Sequence, residues 1–367
     1  MITLKLHGID LIDMKILEHL YSDVNLARIA RKIGISDETV RRRLRKLYRY
    51  GRITIEPDYF ALGLSYSVYI TNIIPTGEIT INLRILEECY ILSLSRLLSP
   101  EGLRLLAVLA PPLNLEGEIL NIIKGILGPG EYIPLTNPVK WRPSARYFNP
   151  ATCEYLYDWS EALRKIFNGV KYPQFSLLEL RSLGRMLDEI DIIIIKELHK
   201  DALTSLTDIA KKTGTYQQKI WYHFVKHVSP IIRHYDINMI FISPTLIPLS
   251  LYRIDFKNFN HLSTFIDAFH KDLHFRVMIP FRYKPSILLI TQLSHPDILR
   301  FIDLLLKLKK HNIISYFRYE GIIDPRYLKA YTIPSNLFKK GRWILSKKLL
   351  EAKKIGSVMF RRELERF

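Results

Sequence analysis

Seven basic side chains crowd one short stretch of the sequence: Arg41, Arg42, Arg43, Arg45, Lys46, Arg49 and Arg52. Guanidinium groups present planar, forked donors that match phosphate oxygens and base edges, so this spacing suggests recognition of a polyanion rather than bond-making. In TVRRRLRKLYRYG the apolar residues Val40, Leu44 and Leu47 recur at helical spacing and must face inward, which turns several arginines outward. Ser36 stands where a helix cap belongs. Thr39, Arg41, Arg42 and Arg43 are placed for groove edges, and Arg45, Arg49 and Arg52 for phosphates; a solvated basic helix is the competing reading. The histidines are the second chemical inventory. His223 and His227 lie one helical turn apart and His234 follows, but no acidic or thiol ligand falls at a persuasive spacing, which favours surface or core histidines over a zinc site. His199, His223, His227 and His274, with Arg276, Arg282 and Arg318, could supply proton donors and anion contacts, yet they form no motif. No catalytic, cofactor-binding or metal-ligating residue is assigned, and no cofactor is expected.

The elements that would position these residues occur twice. IDLIDMKILEHL, NLARIARKIG and ISDETVRRRLRKLYRYG read as three helices, with Asn25 and Ser36 as caps and Gly34 supplying a left-handed turn. LDEIDIIIIKELHKDA, LTDIAKKTG and TYQQKIWYHFVKHVS repeat the frame, Gly214 standing for Gly34 and Ile220 and Phe224 for Val40 and Leu44. In the second copy Arg41, Arg42, Arg43 and Arg45 become Trp221, Tyr222, His223 and Val225. The copy is read foremost as a third helix converted into a packing surface for the first half or a partner, the alternative being weak duplex binding through Gln217, Gln218, Lys219 and Tyr222. GRITIEPDYFALG reads as a wing that turns back on the first copy, with Ile53 and Ile55 inward.

After each copy the period changes to alternation, and strand, helix, strand, strand, helix, strand follow within about eighty residues. The expected fold class is α+β: two winged helix-turn-helix domains alternating with two ferredoxin-like βαββαβ domains. The boundaries are 1–60 and 61–139 for the first pair, 140–185 for an aromatic, proline-containing linker with a helix, 186–240 and 241–322 for the second pair, and 323–367 for a basic helical extension. Two sheets stacked face to face would give one chain the pseudo-twofold body of a dimer.

The chain has 367 residues, an apolar fraction of 48% and a formal net charge of +18, enough for well-filled cores and a surface attractive to polyanions. Cys89 and Cys153 form neither a CxxC pair nor a disulfide framework, and no stretch reads as a leader or membrane span. A cytoplasmic protein with no membrane partner is expected.

On IDLIDMKILEHL, NLARIARKIGIS, TVRRRLRKLYRYGRI and the βαββαβ pattern, the chain resembles the Lrp/AsnC transcription regulators, tandemly duplicated and fused. The resemblance implies double-stranded DNA as partner, contacted by Ser36, Thr39, Arg41, Arg42, Arg43 and Arg45; a homodimer of fused pseudo-dimers presenting two readers; and a small-molecule effector. It implies a regulator and no enzyme. An architectural, chromatin-type DNA-binding protein is the alternative. A rival reading is enzymatic, because siroheme decarboxylases share the two-domain plan and turn it to a tetrapyrrole.

Overall fold

In a computed structural model, which describes residues 2–6, 8–72, 87–168 and 187–346, the chain is an α+β fold of helices around a large β-sheet. The first three helices are α1 (Leu11–Leu20), α2 (Leu26–Ile33) and α3 (Asp37–Leu47). Asp10 caps α1 in a reciprocal box with Asp13, Asn25 caps α2, Ser36 caps α3, and Gly34 turns at φ 81°. Val40, Leu44 and Leu47 are buried as their spacing requires. Helices α6 (Glu189–Lys200), α7 (Leu206–Thr213) and α8 (Gln217–His223) repeat the arrangement, with an Asp188/Asp191 capping box and Gly214 at φ 64°. A π-helical turn, Phe224–Val228, follows α8.

The wing is where the first surprise lies. Strand β2 (Gly51–Pro57) pairs antiparallel with β10 (Ile232–Met239), its counterpart in the second copy, from Gly51 opposite Met239 to Pro57 opposite Ile232. Gly51 sits at φ 154°, and a Cβ there would overlap the Asn238 carbonyl, so the close approach of the two strands requires glycine. The strand does not return to its own copy alone: residues 53 to 57 are all buried because a second unit covers them.

The large sheet uses β3 (Tyr66–Thr71), β4 (Ile91–Ser99), β5 (Gly102–Leu109) and β6 (Gly130–Leu135) from the first half. The second half gives β11 (Leu249–Phe256), β12 (Phe275–Pro280), β13 (Ser286–Gln292) and β14 (Ile314–Ala330). The strand order is β6-β3-β5-β4-β14-β11-β13-β12-β7, where β7 is Val139–Lys140. Each half thus has the order last, first, third, second. Helix α4 (Glu116–Leu127) accompanies the first set; α9 (Phe259–Phe269) and α10 (His295–Lys310) accompany the second. The first-half helix expected at 79–90 lies mostly outside the described residues.

The two sets join edge to edge, not by stacking of separate sheets. Edge strands β4 and β14 pair from Ser93 to Leu98, and the chain from Pro134 to Arg142 runs along β12 through Thr136 N to Pro280 O (2.9 Å), Arg282 N to Pro134 O (3.0 Å) and Trp141 N to Arg276 O (3.2 Å). Unpaired edge amides of one half are satisfied by the other at both margins. Arg253 on β11 ties the halves further through two hydrogen bonds to Glu131 on β6 (2.7 and 2.8 Å), and its Nε also pairs electrostatically with Glu320 on the neighbouring β14 (2.9 Å).

The supposed linker and extension are one motif used twice. Residues Ala145–Tyr147 form a 3-10 turn followed by a hairpin of β8 (Phe148–Asn149) and β9 (Glu154–Tyr157). Residues Ser335–Leu337 form the same turn before a hairpin of β15 (Phe338–Lys339) and β16 (Arg342–Trp343). The described part of the extension is therefore strand, turn and hairpin, not helix. Each strap crosses to the other half. In the first, Glu18 of α1 receives Ser144 and Ala145 (both 3.3 Å), while Trp141 and Tyr155 bond the Lys271 carbonyl (3.1 and 2.6 Å). In the second, Lys340 N donates to Glu189 of α6 (2.6 Å), while Trp343 bonds the Leu62 carbonyl (2.7 Å) and Tyr90 the Ile344 carbonyl (2.7 Å). Strand β1 (Ile2–Lys5) lies along β9, and helix α5 (Trp159–Phe167) follows it.

Candidate functional site

Where α1, the first strap and β10 meet, a cleft of about 350 Å³ opens, lined by Tyr21, Ser22, Arg142, Ser229, Ile232, Arg233, His234 and Tyr235. It exists because the wings pair: the Tyr235 amide bonds the Tyr21 carbonyl (3.0 Å), which brings the end of α1 onto β10. Tyr21 and His234 stack with ring centroids 4.7 Å apart, and the Arg142 guanidinium lies 5.3 Å from the Tyr21 ring. Among the described residues neither Arg142 nor Arg233 forms an ion pair; Arg233 donates only to the Pro138 carbonyl (3.3 Å). Among the described residues the His234 Nε2 has no hydrogen-bond partner, and the Asp236 carboxylate stands 3.8 Å from it.

Burial sets the protonation of the cleft. It pushes the His234 imidazole down to about 4, against the pull of Asp236, so the ring is neutral at pH 7. It pushes the Tyr21 phenol up to about 12, with Asp236 adding, so the hydroxyl keeps its proton. Two cations, a neutral imidazole and a protonated phenol make a site that can hold carboxylates and deliver a proton.

Behind the cleft lies a buried triad. Lys140 bonds Glu56 (2.8 Å) and Asp236, and both carboxylates keep only 1% of their side-chain exposure. Burial opposes the lysine charge, but Asp236 and Glu56 outweigh it and raise its pKa. Burial raises Glu56, with Lys140 working against it. One residue comes from each of β2, β7 and β10, so the triad pins the paired wings to the sheet.

The basic residues singled out in the sequence are turned to other ends. Arg43 bonds Asp10 (2.6 Å) and the fully buried Asp13 (2.9 Å), and Lys46 also bonds Asp13 (2.7 Å). Burial opposes the Arg43 charge, yet its bonds to Asp10 and Asp13 raise its pKa. Arg41 pairs with Asp37 (3.1 Å) and Arg45 with Glu38 (2.8 Å), while Arg49 and Arg52 donate to the Lys46 and Tyr48 carbonyls (3.0 and 2.7 Å). Ser36 and Thr39 bond each other at the cap (2.8 Å), and Arg42 is exposed. In the second copy Trp221 and Tyr222 remain 58% and 51% exposed, so α8 is not a packing surface for the first half.

The scattered histidines and arginines do not converge. His199 is half-buried, its ring pushed down to about 4 by desolvation with Lys140 adding. His274 lies in the core, 2.7 Å from Asp272. Arg276 bonds the Met239 carbonyl, Arg318 pairs with Glu320 (2.7 Å), and Arg282 packs over Phe60 at 4.8 Å. Only His223 and His227 come together. They meet on an acid the spacing did not reveal: Asp191, whose Oδ1 is 2.9 Å from His223 Nδ1 and 3.1 Å from His227 Nδ1. The signal was present, since Asp191 repeats Asp13 in the capping box. None of the cleft residues was singled out for chemistry except His234.

No curated protein sequence matches the chain. An AsnC-type helix-turn-helix domain matches residues 9–48 alone. The siroheme decarboxylase NirDL superposes over 95% of this chain and 99% of its own, with a TM-score of 0.52 at 11% identity. The same enzyme in co-complex with an iron-uroporphyrin III analogue superposes over 94% and 98%, with a TM-score of 0.53 at 10% identity. The leucine response regulatory protein LrpA of Mycobacterium tuberculosis covers 34% of this chain at 20% identity, with a TM-score of 0.27.

These findings correct the regulator reading. The single helix-turn-helix match and the near-complete fold shared with NirDL replace the tandem Lrp/AsnC resemblance and its DNA-binding function. The physical reasons are local: four of the five α3 cations, all but Arg42, are paired within the domain, and its wing is consumed by β10. Double-stranded DNA as partner, with the homodimer of two readers and the effector that went with it, falls for the same reasons. The expectation of no enzyme falls too, because the shared fold is an enzyme's and an Asp–His–His cluster of metal-ligating type is present. Among the described residues no helix is long and apolar enough to cross a membrane.

Proposed function

We propose that the chain is a decarboxylase acting on an iron-containing tetrapyrrole with carboxylate side chains, a substrate of the siroheme class. The observation that carries the proposal is the cleft, in which Arg142 and Arg233 have no acidic partner among the described residues and stand beside neutral His234 and protonated Tyr21. The near-complete fold shared with NirDL supports it. A volume of about 350 Å³ takes one carboxylate-bearing edge of a planar macrocycle, leaving the rest against the open surface. The guanidinium groups bind carboxylates by charge-assisted bonds. Decarboxylation breaks the bond between an acetate methylene and its carboxylate, releasing carbon dioxide and leaving the electron pair on the methylene carbon, delocalised into the ring. The Tyr21 hydroxyl protonates that carbon, and solvent returns the proton to the phenolate. The net change is loss of carbon dioxide and uptake of one proton, with no oxidant required.

The finer architecture belongs to the same proposal: two winged-helix units, 1–60 and 186–240, alternate with two ferredoxin-like units, 61–139 and 241–322, and the segments 140–185 and 323–367 each begin as a strap. The two cysteines, Cys89 and Cys153, outside any CxxC or disulfide-dense pattern, suit a reducing, cytoplasmic setting.

The test is to mix purified protein with siroheme or iron-uroporphyrin III, follow the Soret band, and measure carboxylate loss by mass spectrometry. Binding with loss of carbon dioxide is expected, and Tyr21→Phe should bind the pigment but slow decarboxylation about 100-fold or more. Unchanged spectra and intact carboxylates at saturating pigment would refute the function; full activity in Tyr21→Phe would move the acid elsewhere.

A further inference from the structure

In the first copy the buried carboxylate of α1, Asp13, is answered by two permanent cations, Arg43 and Lys46. In the second copy the equivalent carboxylate of α6, Asp191, is as fully buried, but His223 stands in the place of Arg43 and the nearest partners are two imidazoles. An imidazole lacks the permanent charge of a guanidinium or ammonium, so the two side chains that hold this buried anion carry no fixed charge of their own. The replacement is not random in geometry. The π-helical turn Phe224–Val228 directly follows His223 and carries His227, and both Nδ1 atoms are aimed at one carboxylate, within 3.1 Å of its oxygens. Single π-helical turns of this kind concentrate at functional sites.

We infer that Asp191, His223 and His227 form a binding site for a divalent transition-metal ion of the zinc class, which ties α6 to α8 where an arginine and a lysine tie α1 to α3. The three ligand atoms lie within 4.8 Å of one another, a spread that a small inward rotamer shift brings to a common ion. Two imidazole nitrogens and one carboxylate are the donor set such ions prefer, and a dication supplies a fixed charge that the imidazoles do not carry. Asp188, whose Oδ1 is 3.6 Å from His223 Nδ1 and whose side chain is 45% exposed, or a water molecule, completes four-coordination from the open side. The Tyr222 ring makes T-shaped contacts with both imidazoles, centroids 5.8 Å apart. The site lies outside the cleft, so its test needs no tetrapyrrole and is independent of the proposed reaction.

The experiment titrates chelator-treated full-length protein with cobalt(II) alone and reads the visible bands of tetrahedral cobalt, then adds zinc. One equivalent should saturate the bands, zinc should bleach them, and zinc should raise the melting temperature. His223→Ala and His227→Ala, checked for folding by circular dichroism, should each weaken binding about 100-fold or more. Absence of tetrahedral bands in the wild-type protein at one equivalent overturns the site, whatever the variants do. Equal binding by wild type and folded variants overturns it as well, by placing the ion on other surface groups.

Discussion

Replacing Lys140 by methionine isolates the triad that holds the paired wings to the sheet. The substitution keeps the stem and removes the one cation shared by Glu56 and Asp236, whose side chains are each 1% exposed. Removing one partner of a buried ion pair costs about 3–5 kcal/mol, chiefly because the remaining charge is left without compensation. Lys140 itself retains 28% side-chain exposure, which places the expected loss at the lower end, about 3 kcal/mol. Two adjacent buried carboxylates cannot both stay ionised, so in the variant one folded-state pKa rises further above its unfolded value. A carboxyl raised in this way binds more protons folded than unfolded, so stability falls as pH rises and recovers as pH drops. The deficit of Lys140→Met should therefore shrink below neutral pH. Urea unfolding followed by circular dichroism and tryptophan fluorescence at several pH values measures both effects. Adding Glu56→Gln and Asp236→Asn to Lys140→Met should restore most of the loss, since neutral amides need no counter-ion. A loss under about 1 kcal/mol, or a triple variant no better than the single one, would refute the reasoning.

Three further outcomes follow from geometry already described. Arg233→Met should weaken tetrapyrrole binding about tenfold by removing one charge-assisted bond of about 1.5 kcal/mol, while Arg142→Met should act similarly; titration of the Soret shift reads both. His199, His234 and His270 are each pushed down by burial to about 4, so the unfolded chain binds their protons first. Folding stability should fall as pH drops from about 6.5 toward 4, and a flat urea midpoint across that window would contradict it. Gly321, at φ 143°, lies in the seam where a Cβ would overlap the Leu98 carbonyl; Gly321→Ala should lose about 2 kcal/mol or more and separate the halves in proteolysis.

What the sequence made legible was whatever is decided locally. The caps Asn25 and Ser36, the turn at Gly34, its repetition at Gly214 and the buried stripe of α3 all depend on neighbours within a turn or two, and periodicity reports them. The fate of the arginines did not, because Arg43 is answered by Asp13 from thirty residues away, a pairing no spacing rule contains. Asp191 escaped notice as a partner of His223 and His227 for the same reason. The wing reads as a strand that turns back on its own copy, but its partner strand lies in the second copy, and only the fold brings Ile55 opposite Tyr235. The straps show a different limit. Their 3-10 turns and hairpins match in shape while Phe148 and Asn149 correspond to Phe338 and Lys339, so composition suggested a linker and a tail where the chain had repeated itself. The cleft was illegible because Tyr21, Arg142 and Arg233 come from three separated segments of ordinary composition.

The crossing of the straps bears on how the chain is made. Synthesis proceeds from the amino terminus, and domains usually fold as they emerge. Here Trp141 and Tyr155 need the Lys271 carbonyl, and Trp159 needs Asp272, so the first strap, held at Glu18 and along β1, leaves these three side chains without their partners until more than a hundred further residues have left the ribosome. The second strap in turn anchors Trp343 on Leu62, which has been waiting since the start. The nascent first half must therefore persist as an open intermediate with its β4 edge and strap unsatisfied, and the last described residues to emerge are the ones that lock the first.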